Sequence, residues 1–259
     1  MNDYLNEGGV KLTVNNGIGT IEFHHPASNS LPGKVLKKLA DTITKAGLDD
    51  AIKVIVLKSS GDRAFCAGAS FDELISIKDA AGGKKFFMGF ANVINAMRKA
   101  PKFIIGRVQG KTVGGGVGLA SSVDYCLATK FASVKLSELA IGIGPFVVGP
   151  AVERKIGKAG MTSLTIDATS WQTAEWAYSK GMFAEIFDTA EELDEAVQTL
   201  AEILAKSNPE AMKELKKTFW ADAEHWDDLL AERAAYSGRL VLSDFTKNAI
   251  NSFKEAVKK

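Results

Sequence analysis

The chain has 259 residues, 46% hydrophobic and 24% charged, a composition that excludes intrinsic disorder and allows a sizeable core without disulfides or structural metal. With 32 basic residues against 31 acidic ones the net charge is +1, so no global field draws the chain to nucleic acid or to an anionic membrane. Two cysteines, three histidines, no leader-like start and no apolar stretch of about 18 residues predict a cytoplasmic protein without disulfides, metal or a membrane span.

In chain order, Val10 to Val14 and Thr20 to Phe23 alternate around Asn16-Gly17, the pair most favoured in a two-residue hairpin turn. Pro32-Gly33 then opens a helix whose apolar face is Val35, Leu36, Leu39 and Ile43. Val54 to Leu57 is a continuous apolar run, the pattern of a strand covered on both faces. Phe86, Phe87, Phe90, Val93, Ile94 and Met97 recur at helical spacing up to Pro101, and Phe103 to Val108 reads as the next strand. This alternation predicts an α/β fold with a mainly parallel sheet and right-handed crossovers. From about Met161 onward only helices are expected, among them 192–207 and 209–220. The division expected is a core over 1–195 and a helical region over 196–259. Trp220, Trp226, Tyr236, Leu240 and Phe245 offer that region apolar surface either for its own chain or for a neighbouring subunit.

Familiar nucleotide and nucleophile motifs fail. A P-loop ending at Gly110-Lys111-Thr112 needs glycine where Ile105 stands, and a dinucleotide fingerprint starting at Gly114 needs glycine where Leu119 stands. No Gly-x-Ser-x-Gly elbow occurs, and Cys66 in an Ala-Phe-Cys-Ala run reads as core. Two small-residue turns remain, Ala64 to Ser70 after the 54–57 strand and Gly114 to Gly118 after the 103–108 strand. Turns of this kind entering a helix leave backbone N–H groups approachable, which is what an oxyanion requires.

Ala64-Phe65-Cys66-Ala67-Gly68-Ala69, Val108-Gln109-Gly110 leading to Gly114-Gly115-Gly116, Asp124, and Leu136 to Gly142 closely resemble the crotonase (enoyl-CoA hydratase/isomerase) superfamily. His25-Pro26 to Leu31, Leu164 to Gly181, Pro209-Glu210-Ala211 and Phe253-Lys254-Glu255 extend the resemblance over nearly the whole chain. It implies a spiral of ββα units with a helical C-terminal trimerisation region, assembled as a homotrimer or homohexamer. It further implies an acyl-CoA substrate whose thioester oxygen is held by the N–H groups of Ala69 and Gly115. The backbone at Ala67 and Gly68, and Phe253 from a neighbouring chain, would contact the coenzyme A; no cofactor beyond that coenzyme A is implied. Where the family often has a lysine three residues after this Phe, the chain has Ala256, which leaves Lys258 or Lys259 for the nucleotide.

Family hydratases use two glutamates, and the resemblance assigns the second to Glu138. The first should stand two residues after the glycine run, where this chain has Gly118. Water addition divides proton removal and delivery between two groups, whereas one carboxylate suffices to move a proton from carbon to carbon. A single catalytic base, Glu138, therefore favours isomerisation of 3-enoyl-CoA to 2-enoyl-CoA. The alternatives are hydration with an unusual second acid, Asp72 or Glu73 being the first candidates, decarboxylation or hydrolysis of a thioester, and non-catalytic binding of a CoA thioester. His24 and His25, at a strand end, read as structural.

Overall fold

The computed structural model describes residues 2–257, with side chains for Tyr4 and residues 6–252. α1 (Asn2–Glu7) leads into β1 (Gly9–Asn15) and β2 (Ile18–His24), an antiparallel hairpin in which Asn15 faces Ile18. Its turn residues Asn16 and Gly17 both have positive φ, 48° and 82°, as a right-handed twisted hairpin needs. α2 (Gly33–Leu48) follows.

Three units then repeat the order long strand, short strand, helix. The first is β3 (Val54–Ser59), β4 (Ala64–Cys66), α3 (Phe71–Ser76) and α4 (Ala80–Lys99). The second is β5 (Ile104–Val108), β6 (Lys111–Val113) and α5 (Gly115–Ser122). The third is β7 (Tyr125–Thr129), β8 (Ser133–Lys135), a 3-10 turn at Leu139–Ile141 and α6 (Gly149–Ile166). The long strands lie in a six-stranded sheet of order β1-β2-β3-β5-β7-β10, parallel from β2 onward. The short ones form a second sheet, β4-β6-β8-β9, with β4, β6 and β8 mutually parallel. This is the ββα spiral, and it corrects one expectation: the two glycine turns follow β4 and β6, not the long strands directly.

A second correction concerns the C-terminal half. It holds β9 (Gln172–Thr173), antiparallel to β8, and β10 (Glu185–Phe187), parallel to β7, with α7 (Ala174–Ser179) between them. Strands of two or three residues carry no periodicity that a sequence could display. α8 (Ala190–Ala205), α9 (Pro209–Phe219), α10 (Trp226–Leu240) and α11 (Asp244–Val257) complete the chain.

β5 is buried along its whole length and β3 at all but Lys58, because both faces of the long sheet are covered. On one face α8 presses Leu193, Val197 and Ala201 onto Ile18, Val54, Val56, Ile105 and Leu127. On the other, α2, α4 and α10 close the main core. α4 and α10 cross at Gly83 and Gly238, where a Cβ on Gly83 would stand 2.5 Å from the Gly238 carbonyl oxygen. Trp220 and Trp226 are buried edge to face, 5.7 Å between ring centroids, so these two rings of the late aromatic set are covered within the chain itself. Phe245 stays exposed.

Candidate active site

The repeat brings the C-terminal ends of β4, β6 and β8 side by side, and each end supplies one of the residues singled out by sequence. Ala69 lies three residues past β4, Gly115 two past β6 and Glu138 three past β8. Ligand sites at the carboxyl ends of adjacent parallel strands are the common arrangement in α/β folds.

The first turn is pinned by Ala67 N donating to Ser28 O at 3.1 Å and Leu31 N donating to Gly68 O at 2.8 Å. Gly68 has φ 87°, and a Cβ there would sit 3.0 Å from Val113 O and 3.7 Å from Gly115 N. Only glycine lets the two turns approach this closely. Among the described residues no acceptor takes the Ala69 N–H. The second turn is pinned by Gly114 N donating to Lys135 O at 2.9 Å, after which Gly115 opens α5. The first N–H groups of a helix have no intrahelical partner and carry its positive dipole end. A Cβ on Gly115 would stand 2.1 Å from Phe90 Cε1, so this helix start is packed hard against α4.

Two further residues hold these turns; both fall in segments that carry the family resemblance, yet the sequence assigns no role to either. The Asn29 amide donates to Ser60 O and Ala64 O, and its Oδ1 accepts from His25 N. Gln109 Nε2 donates to Ser59 Oγ, Gly61 O and the same Ala64 O.

The backbone of Glu138 is fixed by Ile143 N donating to its carbonyl at 2.9 Å. Its Oε1 lies 3.0 Å from the place of a Gly114 Cβ, so the carboxylate rests on the start of α5. Oε2 is buried and has no hydrogen-bond partner among the described residues. Burial pushes the carboxyl pKa up to about 7, its own backbone N–H opposing weakly. A carboxylate oxygen buried without a partner is costly for folding; such groups gather where chemistry uses them.

The enoyl-CoA hydratase/isomerase family model matches residues 13–258. The chain belongs to this family, within the crotonase superfamily. A crotonyl-CoA hydratase of Syntrophomonas wolfei is 28% identical over 186 residues, 70% of this chain and 69% of that one. A carnitinyl-CoA dehydratase of Proteus mirabilis is 25% identical over 224 residues, covering 83% of this chain and 81% of the relative. The crystal structure of an enoyl-CoA hydratase from Bacillus halodurans has the same fold, with a TM-score of 0.87 at 20% identity over 94% of this chain and 99% of that one.

Set against the family's two-glutamate pattern, the glycine at position 118 is structurally enforced. A Cβ on Gly118 would meet Val148 Cγ1 at 2.4 Å and Val148 Cβ at 2.7 Å. Glu73, one candidate for the missing acid, is engaged elsewhere: its Oε2 accepts from Gly33 N at 2.7 Å and caps α2. Asp72 stands beside it in the first turn of α3. The Cys66 thiol is buried and pushed up to about 12, which leaves no thiolate at neutral pH. His24 Nδ1 shares a 2.6 Å hydrogen bond with Ser60 Oγ, a structural link at the end of β2.

The Phe253 side chain and those of Ala256, Lys258 and Lys259 lie outside the described residues. The helix that carries Phe253, α11, packs on α3 and on the 139–141 turn of its own chain. There a Gly142 Cβ would touch Phe245 Cδ1 at 2.4 Å. Among the described residues no group of three or more His, Cys, Asp or Glu gathers as metal ligands, and no helix is long and apolar enough to cross a membrane.

Proposed function

We propose that this family member binds the thioester of a 3-enoyl-CoA with its carbonyl oxygen between Ala69 N–H and Gly115 N–H, and converts it to the 2-enoyl-CoA. Glu138 as carboxylate takes a proton from C2. The electron pair spreads over a dienolate whose oxygen the two N–H groups stabilise, at about 3 kcal/mol per donor. The same carboxyl returns its proton to C4 as the double bond settles between C2 and C3. Proton transfer alone balances this reaction, so coenzyme A enters only as part of the substrate. The carrying observation is the Glu138 carboxyl, whose buried Oε2 has no hydrogen-bond partner among the described residues, beside a helix position that admits no second carboxylate. A carboxyl poised near neutrality can both take and give the proton. The hydratase names of the relatives favour hydration, which needs a second group that Gly118 does not supply.

The test is a panel of 2-enoyl-, 3-enoyl- and malonyl-type CoA esters. Isomerisation leaves the mass unchanged and creates the ultraviolet absorbance of a conjugated thioester. Hydration adds one water, decarboxylation loses carbon dioxide, and hydrolysis releases free coenzyme A. Rapid hydration of 2-enoyl-CoA without isomerisation of 3-enoyl-CoA would sink the proposal.

The oxyanion role of Gly115 has its own test, because both Gly115→Ala and Gly115→Pro bring the Cβ that meets Phe90, while only Pro removes the N–H. Pro is otherwise tolerated at a first helical position. Turnover of the Pro variant is expected roughly 100- to 1000-fold below that of the Ala variant, at matched melting temperatures. Equal turnover removes the N–H from the mechanism.

We also propose that the chain assembles as a homotrimer or homohexamer through its C-terminal helices, where Ile203, Leu215, Phe219 and Phe245 remain exposed. Light scattering should give a mass of three or six chains at micromolar concentration; a stable monomer there would exclude it.

A further inference from the structure

We infer that Val148 is the residue that holds this site to single-carboxylate chemistry, by filling the volume that an acid at position 118 would need. The inference rests on the reading of Glu138 as the base. Gly118 N donates to Gly114 O at 3.3 Å, so Gly118 stands one helical turn on from Gly114, the residue that precedes α5 with a non-helical φ of 53°. A side chain at 114 would run into the Glu138 carboxylate, and one at 118 would run into Val148. Four residues advance a helix by about 6 Å. A carboxylate at position 118 would thus stand one turn along α5 from the end on which Glu138 rests, leaving room for a substrate double bond and a water between the two.

Val148 cannot step aside. It is 4% exposed within the main core. Its backbone immediately precedes α6, held by Gly149 N donating to Pro145 O at 2.8 Å and Val152 N donating to Val148 O at 3.0 Å. A rotamer change would move Cγ1, but the Cβ at 2.7 Å and the Cα at 3.5 Å would stay. Truncation to alanine therefore leaves part of the clash, and only glycine clears it.

With Val148→Gly in place, the carboxylate of Gly118→Glu would accept a proton from water as the water oxygen bonds to C3 of a 2-enoyl-CoA. The π pair then moves to C2 as an enolate, and C2 takes the proton of a protonated Glu138. Proton exchange with solvent restores both groups.

The experiment has a stability arm and a reaction arm. Gly118→Ala should lower the melting temperature of the wild type, and by clearly less in the Val148→Gly background. Gly118→Glu/Val148→Gly should hydrate 2-enoyl-CoA at least about 100-fold faster than Val148→Gly alone, whereas Gly118→Glu/Val148→Ala should gain little. Two results would overturn the inference. One is a Gly118→Ala cost independent of residue 148. The other is a Gly118→Glu/Val148→Gly protein that melts cooperatively and binds 2-enoyl-CoA yet hydrates it no faster than Val148→Gly. Wild-type turnover of 3-enoyl-CoA, measured alongside, separates the two levels. If it is absent while the double variant hydrates, the isomerase reading falls and the role of Val148 stands. If it is present while the folded double variant stays inert, the reverse holds.

Discussion

Glu138→Gln is expected to cut isomerisation of 3-enoyl-CoA roughly 100- to 10,000-fold, the usual scale for loss of a general acid–base group, while changing the affinity for a saturated acyl-CoA only a few-fold. Glutamine keeps the shape of the side chain and removes its basicity, so a loss confined to turnover reads the proton transfer itself. The pH dependence supplies a second check. Burial raises the Glu138 carboxyl to about 7 from an ordinary 4.5, and the reaction begins with the ionised form. kcat/KM of the wild type should therefore climb through about pH 7 and level off above it, and the residual activity of Glu138→Gln should show no such limb.

Stability should move the other way. Between about 4.5 and 7 the folded state keeps a proton that the unfolded chain has released, so the contribution of this group is complete below the lower value. It is lost as pH rises through the upper one. Glu138→Gln should then melt higher than the wild type above pH 7, with the difference shrinking on acidification. A wild type whose kcat/KM is flat across this range, or a fully active glutamine variant, would remove Glu138 as the base.

The parts of the fold legible in the sequence are those whose length exceeds their period. The Asn16-Gly17 hairpin, the β3 and β5 runs and the apolar face of α4 span enough residues to show alternation or helical spacing, and each forms as expected. The second sheet is built of strands two or three residues long, too short to show either, yet its strand ends carry Ala69, Gly115 and Glu138. Those residues were reached through the family resemblance, not through periodicity. What no local pattern could reveal is the company each keeps. Val148 lies 30 positions from Gly118 in an unremarkable Phe-Val-Val run, and the burial of Glu138 depends on a fold that lays it against Gly114. Glu73 looked available because its helix cap on α2 joins residues 40 positions apart.

Lys216 was hidden in the same way, inside a Lys-Glu-Leu-Lys-Lys stretch that reads as a solvated face, yet its side chain is only 2% exposed and pairs with Asp124 at 2.6 Å. Asp124 also accepts from Ile104 N at 2.8 Å and Trp220 Nε1 at 3.1 Å. One carboxylate thus ties α9 and its C-terminal tryptophan to the junction of β5 and β7. Asp124→Ala is expected to cost about 3–5 kcal/mol, since it strands a buried ammonium and two buried N–H groups, and to lower the melting temperature by about 10 °C in a chain of this size. Lys216→Met should cost less, because the carboxylate keeps its two N–H donors. Asp124→Leu/Lys216→Met should recover most of the loss, with no buried charge left unpaired.

Burial, with the charges of Arg154 and Lys155, lowers the Lys216 pKa, and Asp124 opposes that shift. Without Asp124 the ammonium should release its proton at still lower pH in the folded state, while the unfolded chain holds it up to about 10.5. The folded state then binds fewer protons, so the stability of Asp124→Ala should rise as pH increases from neutral toward that value. The double variant, which has no lysine at 216, should lack this rise. An Asp124→Ala protein that melts with the wild type at neutral pH would show that α9 is held by its apolar contacts alone.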